Sequence, residues 1–150
     1  MSFISSVSHL PWFAPLVVLV SIGVSMVVSQ CIKYLLDPRN FSTFGKDGGM
    51  PSTHSTIVSA TLTGIFLTQG LSMLFVLASA VGVIILRDAF GVRYAVGENA
   101  KVLRELADGE LERRVIIDEG HKPIQIFVGL VLGCIISFTF ISLFGLSFFW

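Results

Sequence analysis

Two histidines in this chain stand just ahead of long apolar runs, each close to glycine and proline. His54 lies in Gly48-Gly49-Met50-Pro51-Ser52-Thr53-His54-Ser55, and His121 lies in Gly120-His121-Lys122-Pro123-Ile124-Gln125. If both runs are helices, each histidine sits at a helix N-terminus, where free N–H groups and the positive end of the dipole favour an anion. Ser52, Thr53 and His54 add side-chain donors suited to phosphate. Imidazole titrates near neutral pH, so two of them can divide the work of nucleophile or base and acid. Ser52 and Pro51 alone are also what an unliganded helix start uses. Such a cap has no need of a histidine next to two glycines.

Cations are plentiful around these segments: Lys33, Arg39, Lys46, Arg87, Arg93, Arg113, Arg114 and Lys122. Arginine in particular binds phosphate in bidentate fashion. In Arg87-Asp88-Ala89-Phe90-Gly91-Val92-Arg93, three charges follow an apolar run, where charge is costly unless paired or wet. Two readings stay open there: an Arg–Asp ion pair, or an arginine on phosphate with Asp88 orienting it or a histidine.

The elements that must position these groups follow from composition. Of 150 residues, 53% are hydrophobic and 13% charged, with ten basic and ten acidic side chains. A soluble domain carries roughly 25% charged residues, and a nucleic-acid binder would be more basic, so a membrane protein with no nucleic-acid partner is indicated. Five charges lie between Lys33 and Asp47 and fifteen between Arg87 and Lys122, leaving three charge-free blocks. A span needs roughly 20 apolar residues. The blocks therefore predict transmembrane helices at about 12–36, 52–67, 71–86 and 124–149, the middle block being broken at Thr68-Gln69-Gly70. The two short spans are expected to pack inside the bundle or open into an aqueous cleft.

The expected fold is thus all-α: a single polytopic membrane domain of four helices, plus a short amphipathic helix between the third and fourth. Val96, Ala100, Leu103 and Ala107 share one side of that helix, with Glu98, Lys101, Arg104, Glu105 and Asp108 on the other. No basic residues precede the first apolar stretch, so it is not expected to be a cleaved signal peptide. Four spans put both termini on one side and every Lys and Arg on the other. The positive-inside rule then points the charged loops to the cytoplasm of a plasma or inner membrane and the termini outside. Cys31 and Cys134 are expected to be small buried thiols rather than a disulfide. Gly129 and Gly133 form a GxxxG, which predicts a homodimer or, alternatively, close packing within one chain.

The same motifs carry a resemblance. Pro51-Ser52-Thr53-His54 resembles the PSGH motif of the type-2 phosphatidic acid phosphatase superfamily. The succession GGMPSTHS, DAFGVR, GHKP and GxxxG is similar to a divergent branch of small integral-membrane proteins related to acid phosphatases and vanadium haloperoxidases. It covers roughly Lys33 to Gly133. The resemblance implies that His121 attacks phosphorus to give a phosphohistidine and that His54 protonates the leaving group. Lys33, Arg39, Lys46, Ser52, Thr53, Arg93 and backbone amides would hold the phosphate, with no metal or other cofactor.

Several positions depart from the family pattern. Lys33 and Arg39 have five residues between them where the first motif has six, and Pro38 precedes the arginine instead of following it. Thr53 stands where glycine is usual. Gln125 replaces the aspartate that orients the nucleophile, which leaves Asp88, Asp118 or Glu119 to supply a carboxylate. Two functions compete on this basis: a phosphatase acting on a lipid phosphate or diphosphate, such as phosphatidic acid, phosphatidylglycerol phosphate or a polyprenyl diphosphate, and a non-catalytic protein that binds anionic headgroups. A proton-coupled channel or carrier would want an ionisable residue in mid-span, and none is present.

Overall fold

Helix α1, Phe13–Leu36, carries a face that repeats every fourth residue: Val17, Ser21, Ser25, Ser29 and Lys33 are its buried positions. In the computed structural model, which describes residues 12–36, 49–107 and 120–144, that face packs against two further helices, α2 (Thr53–Gln69) and α5 (Pro123–Leu143). Helix α3 is Met73–Arg87, and it runs through a π-helical segment, Asp88–Val92, into α4, Arg93–Leu106. Every regular element among the described residues is helical.

Three helices are long and apolar enough to cross a membrane: Phe13–Leu36, the continuous Met73–Leu106, and Pro123–Leu143. The expected amphipathic helix is therefore not a separate element. It continues the third apolar helix across the π segment, because no proline and no side-chain cap hydrogen bond interrupts the helix there. On α4 the buried positions are Gly97 and Ala100, while Val96 and Leu103 are exposed beside Val102 and Leu106. Of the two short apolar helices, only α2 is packed inside; α3 buries Gly82 alone.

The seventeen residues of α2 form the centre of the bundle. It begins at Ser52, whose hydroxyl accepts from the Ser55 N–H, and it stops at Gly70, whose φ of +65° suits glycine. Its interior face is rich in hydroxyls, which lipid cannot satisfy, so they bond within the protein. Ser29 Oγ lies 3.2 Å from Thr53 Oγ1, Ser21 Oγ 3.3 Å from Ser137 Oγ, and Ser137 donates to the Ala60 carbonyl at 3.0 Å. Ser59 donates to the Leu130 carbonyl.

Helices α2 and α5 touch backbone to backbone through Gly129 and Gly133. A Cβ on Gly133 would come within 2.1 Å of the Thr56 carbonyl oxygen, and one on Gly129 within 2.5 Å of the Ser52 carbonyl oxygen. The glycine pair thus packs against α2 inside the chain, which is the second of the two expectations for the GxxxG. The bundle interior is graded along its axis. Val17, Leu67 and Ile141 make an apolar plug at one end, hydroxyls fill the middle, and Lys33, His54 and His121 lie at the other end. Cys31 and Cys134 are free thiols but are exposed on the helix surfaces, because the apolar surroundings that suit them here lie outside the bundle.

Candidate functional site

The histidine end is assembled by three backbone contacts. The Ser52 N–H donates to the Gln125 carbonyl at 3.1 Å, tying the start of α2 to the start of α5. The His121 N–H donates to the Ala89 carbonyl at 3.1 Å, within the π segment. Gly120 lies against the chain at Arg93 and Tyr94, where a Cβ would come within 2.3 Å of the Tyr94 nitrogen. Only glycine allows that approach. π segments are rare and occur often at functional sites; this one lies where the His121 loop is anchored.

These contacts bring His54 and His121 together, with ring centroids 6.4 Å apart in an edge-to-face arrangement. His121 is 1% exposed, and neither of its ring nitrogens has a hydrogen-bond partner among the described residues. An unmet polar atom in a buried site costs about 1–3 kcal/mol, so this imidazole is costly to keep without a ligand or water. Lys33, 7% exposed, comes up from the end of α1. Among the described residues no carboxylate pairs with it.

Burial, and secondarily the Lys33 ammonium, push the His121 imidazole down to about 4 from an ordinary value of 6.5. The Gln125 side chain opposes this, though it does not meet hydrogen-bond geometry with the ring, and His54 and Arg93 add smaller contributions in the lowering direction. The imidazole is therefore neutral at pH 7, the form that can attack phosphorus. Because the unfolded chain takes up this proton and the folded one does not, stability falls as pH drops from about 6.5 to about 4 and levels off below that. In detergent, the unfolding temperature should fall through this window, and His121→Gln should flatten the fall. An identical pH profile in the variant would contradict the assignment.

The remaining candidates divide. Arg93 is near enough to act electrostatically on His121, and its Nε donates to Asp88 Oδ2 at 2.8 Å. Asp88 is thus held by Arg93, the ion-pair reading of that segment, and its carboxylate bonds neither imidazole. The Ser52 and Thr53 hydroxyls are bonded within the bundle. The Ser52 hydroxyl accepts from Ser55, and Thr53 pairs with Ser29. Gln125 accepts the Lys122 N–H at 2.8 Å in a capping box, which explains an amide at that position without reference to catalysis. Arg39, Lys46, Arg113, Arg114, Asp118 and Glu119 lie outside the described residues.

Two site features escape a reading of the motifs alone. The burial of Lys33 is signalled by the four-residue period Ser21, Ser25, Ser29, Lys33, a polar stripe on an apolar helix. The part played by the Ala89 carbonyl carries no such signal, since it depends on the π segment.

The arrangement, two imidazoles, two nearby cations and two helix starts, is one that suits an anion. A family model for the Divergent PAP2 family matches residues 15–136. The uncharacterized membrane protein YuiD of Bacillus subtilis (strain 168) is 31% identical, over 79% of this chain and 87% of its own length. No solved structure matches the chain. The motif order, the helices long enough to span a bilayer and the match across most of the sequence agree, and this chain belongs to the Divergent PAP2 family.

Proposed function

We propose that the protein is a membrane phosphatase for lipid phosphates or diphosphates that works through a phosphohistidine at His121. The observation that carries this reading is the buried His121 imidazole, with neither nitrogen hydrogen-bonded among the described residues, facing His54 beside Lys33 and Arg93. A ring nitrogen of neutral His121 attacks phosphorus and the bond to the leaving oxygen breaks. Protonated His54 gives that oxygen its proton. Water then attacks the phosphohistidine while His54 takes a proton from it, releasing inorganic phosphate and restoring His121. Lys33, Arg93 and the N–H groups at the two helix starts offset the charge of the transition state.

On this reading α2 completes a four-span, single-domain bundle. The histidine end faces the cytoplasm, and both termini face outside. The substrate keeps its apolar part in the bilayer. Release of inorganic phosphate from a panel of phosphatidic acid, phosphatidylglycerol phosphate and polyprenyl diphosphate, by purified protein without added metal, is the test. Absence of release from every member would overturn the proposal.

A second reading, a non-catalytic protein that binds anionic headgroups, is favoured by one observation. No carboxylate among the described residues hydrogen-bonds His121, because Gln125 is engaged in capping. A carboxylate there would stabilise the imidazolium that forms in turnover. Gln125→Glu keeps the capping geometry and supplies that charge. If the protein is an enzyme working without this carboxylate, release should rise about tenfold or more. Retained phosphatidic acid binding with no release in either form favours the binding protein.

A further inference from the structure

An apolar groove of about 270 Å³ runs between α2 and α3, with Val58, Leu62, Ala78, Val81, Gly82 and Ile85 among its lining side chains and backbone. Its position relative to the histidines follows from helical spacing. Val58 stands one turn beyond His54 on the same face of α2, and Ile85 one turn before Ala89, whose carbonyl anchors His121. From Ile85 to Leu74 the groove follows roughly 16 Å of helix at 1.5 Å per residue. At Gly82 the two helices approach so closely that a Cβ would meet Val58 Cγ1 at 2.9 Å.

One end of this trough is therefore one helical turn from His54 and from the Ala89 carbonyl that anchors His121, and its lining is apolar. That polarity matches an amphiphile with an anionic head and a long hydrocarbon chain, and it does not match a water-soluble phosphate. We infer that the groove seats one acyl or prenyl chain of the same lipid whose phosphate lies between His54 and His121. The inference rests on the phosphate-site reading above and adds to it a seat for the substrate's hydrocarbon tail. Any hollow on a membrane helix fills with surrounding lipid. Selection by the phosphate head is what distinguishes a substrate groove from that background.

The groove also makes Ala78 a determinant of chain length. It lies seven residues from Ile85, about 10 Å along the helix, so a larger side chain there closes the far part of the groove and leaves the part near the histidines open.

The test uses the full chain in phosphatidylcholine nanodiscs, with phosphatidic acid carrying a diazirine midway along one acyl chain. Adducts should map to the α2–α3 groove, and excess dioleoyl phosphatidic acid should suppress them where added phosphatidylcholine does not. A matching phosphatidylcholine probe that labels the same residues equally well would overturn the inference. Ala78→Leu should lower kcat/KM for dioleoyl phosphatidic acid about tenfold and leave dihexanoyl phosphatidic acid unchanged. An equal effect on both chain lengths would also count against the groove. Phosphate-selective labelling without phosphate release keeps the groove and removes the catalytic reading; release with unselective labelling does the reverse.

Discussion

Replacing His121 with alanine should reduce phosphate release from lipid phosphates by about a thousandfold or more, because the variant has no group to form the covalent intermediate. The structure makes this a clean experiment. Among the described residues neither ring nitrogen of His121 has a hydrogen-bond partner, so the substitution breaks no side-chain hydrogen bond there, and the backbone N–H that holds the loop to Ala89 is retained. The variant should therefore fold and keep its affinity for phosphatidic acid within a few fold, since Lys33, Arg93 and the helix starts remain. His54→Ala should be nearly as damaging for lipids with a poor leaving group and milder where the leaving group needs no proton. Acid-labile, base-stable phosphate bound to wild-type protein and missing from His121→Ala is the direct signature. Turnover unchanged in both variants would remove the mechanism.

The second large effect falls on stability. Gly133→Leu should cost about 3 kcal/mol or more, and Gly129→Leu nearly as much, because overpacking that backbone cannot relieve is severe. Any side chain at Gly133 meets the Thr56 carbonyl, a backbone atom in the middle of α2. Relief requires α2 and α5 to separate. Separation would break the Ser59 bond to the Leu130 carbonyl and pull Ser52 away from the Gln125 carbonyl, so the histidine pair would be dispersed along with the fold. Thermal unfolding in detergent and yield of folded protein report the loss. A Gly133→Leu protein that unfolds at the wild-type temperature but changes from dimer to monomer would show that these glycines pack between copies instead.

Much of this was legible in the sequence, for identifiable reasons. The absence of charge in three blocks located the apolar helices, since a buried charge in lipid is costly enough to leave an unmistakable gap. Gly70 ended α2 because backbone conformation at a helix stop is a local matter. The meeting of His54 and His121 followed from their equivalent places at two helix starts. Other features depended on tertiary geometry. Arg87 to Arg93 read as the end of a span followed by a surface helix, whereas the chain stays helical by widening into a π turn at Asp88–Val92. Gly129 and Gly133 have the same spacing whether the partner helix is in this chain or another one. Ser52 and Gln125, a phosphate ligand and a departure from the catalytic pattern by motif, also cap helices, a role that for Gln125 the motif does not disclose.

The hydroxyl-rich interior of α2 also bears on how the chain enters a bilayer. At 1.5 Å per residue its seventeen residues reach about 25 Å, short of a hydrocarbon core about 30 Å thick. With Ser55, Thr56, Ser59 and Gly64 on its buried side, the segment has little affinity for lipid by itself. Its satisfaction comes from α1, made earlier, and from α5, made later. On the four-span reading α2 must wait at the membrane surface during synthesis and sink in only when α5 arrives. On that reading α5 acts as an internal escort, and the histidine pair forms in the same movement that seats α2.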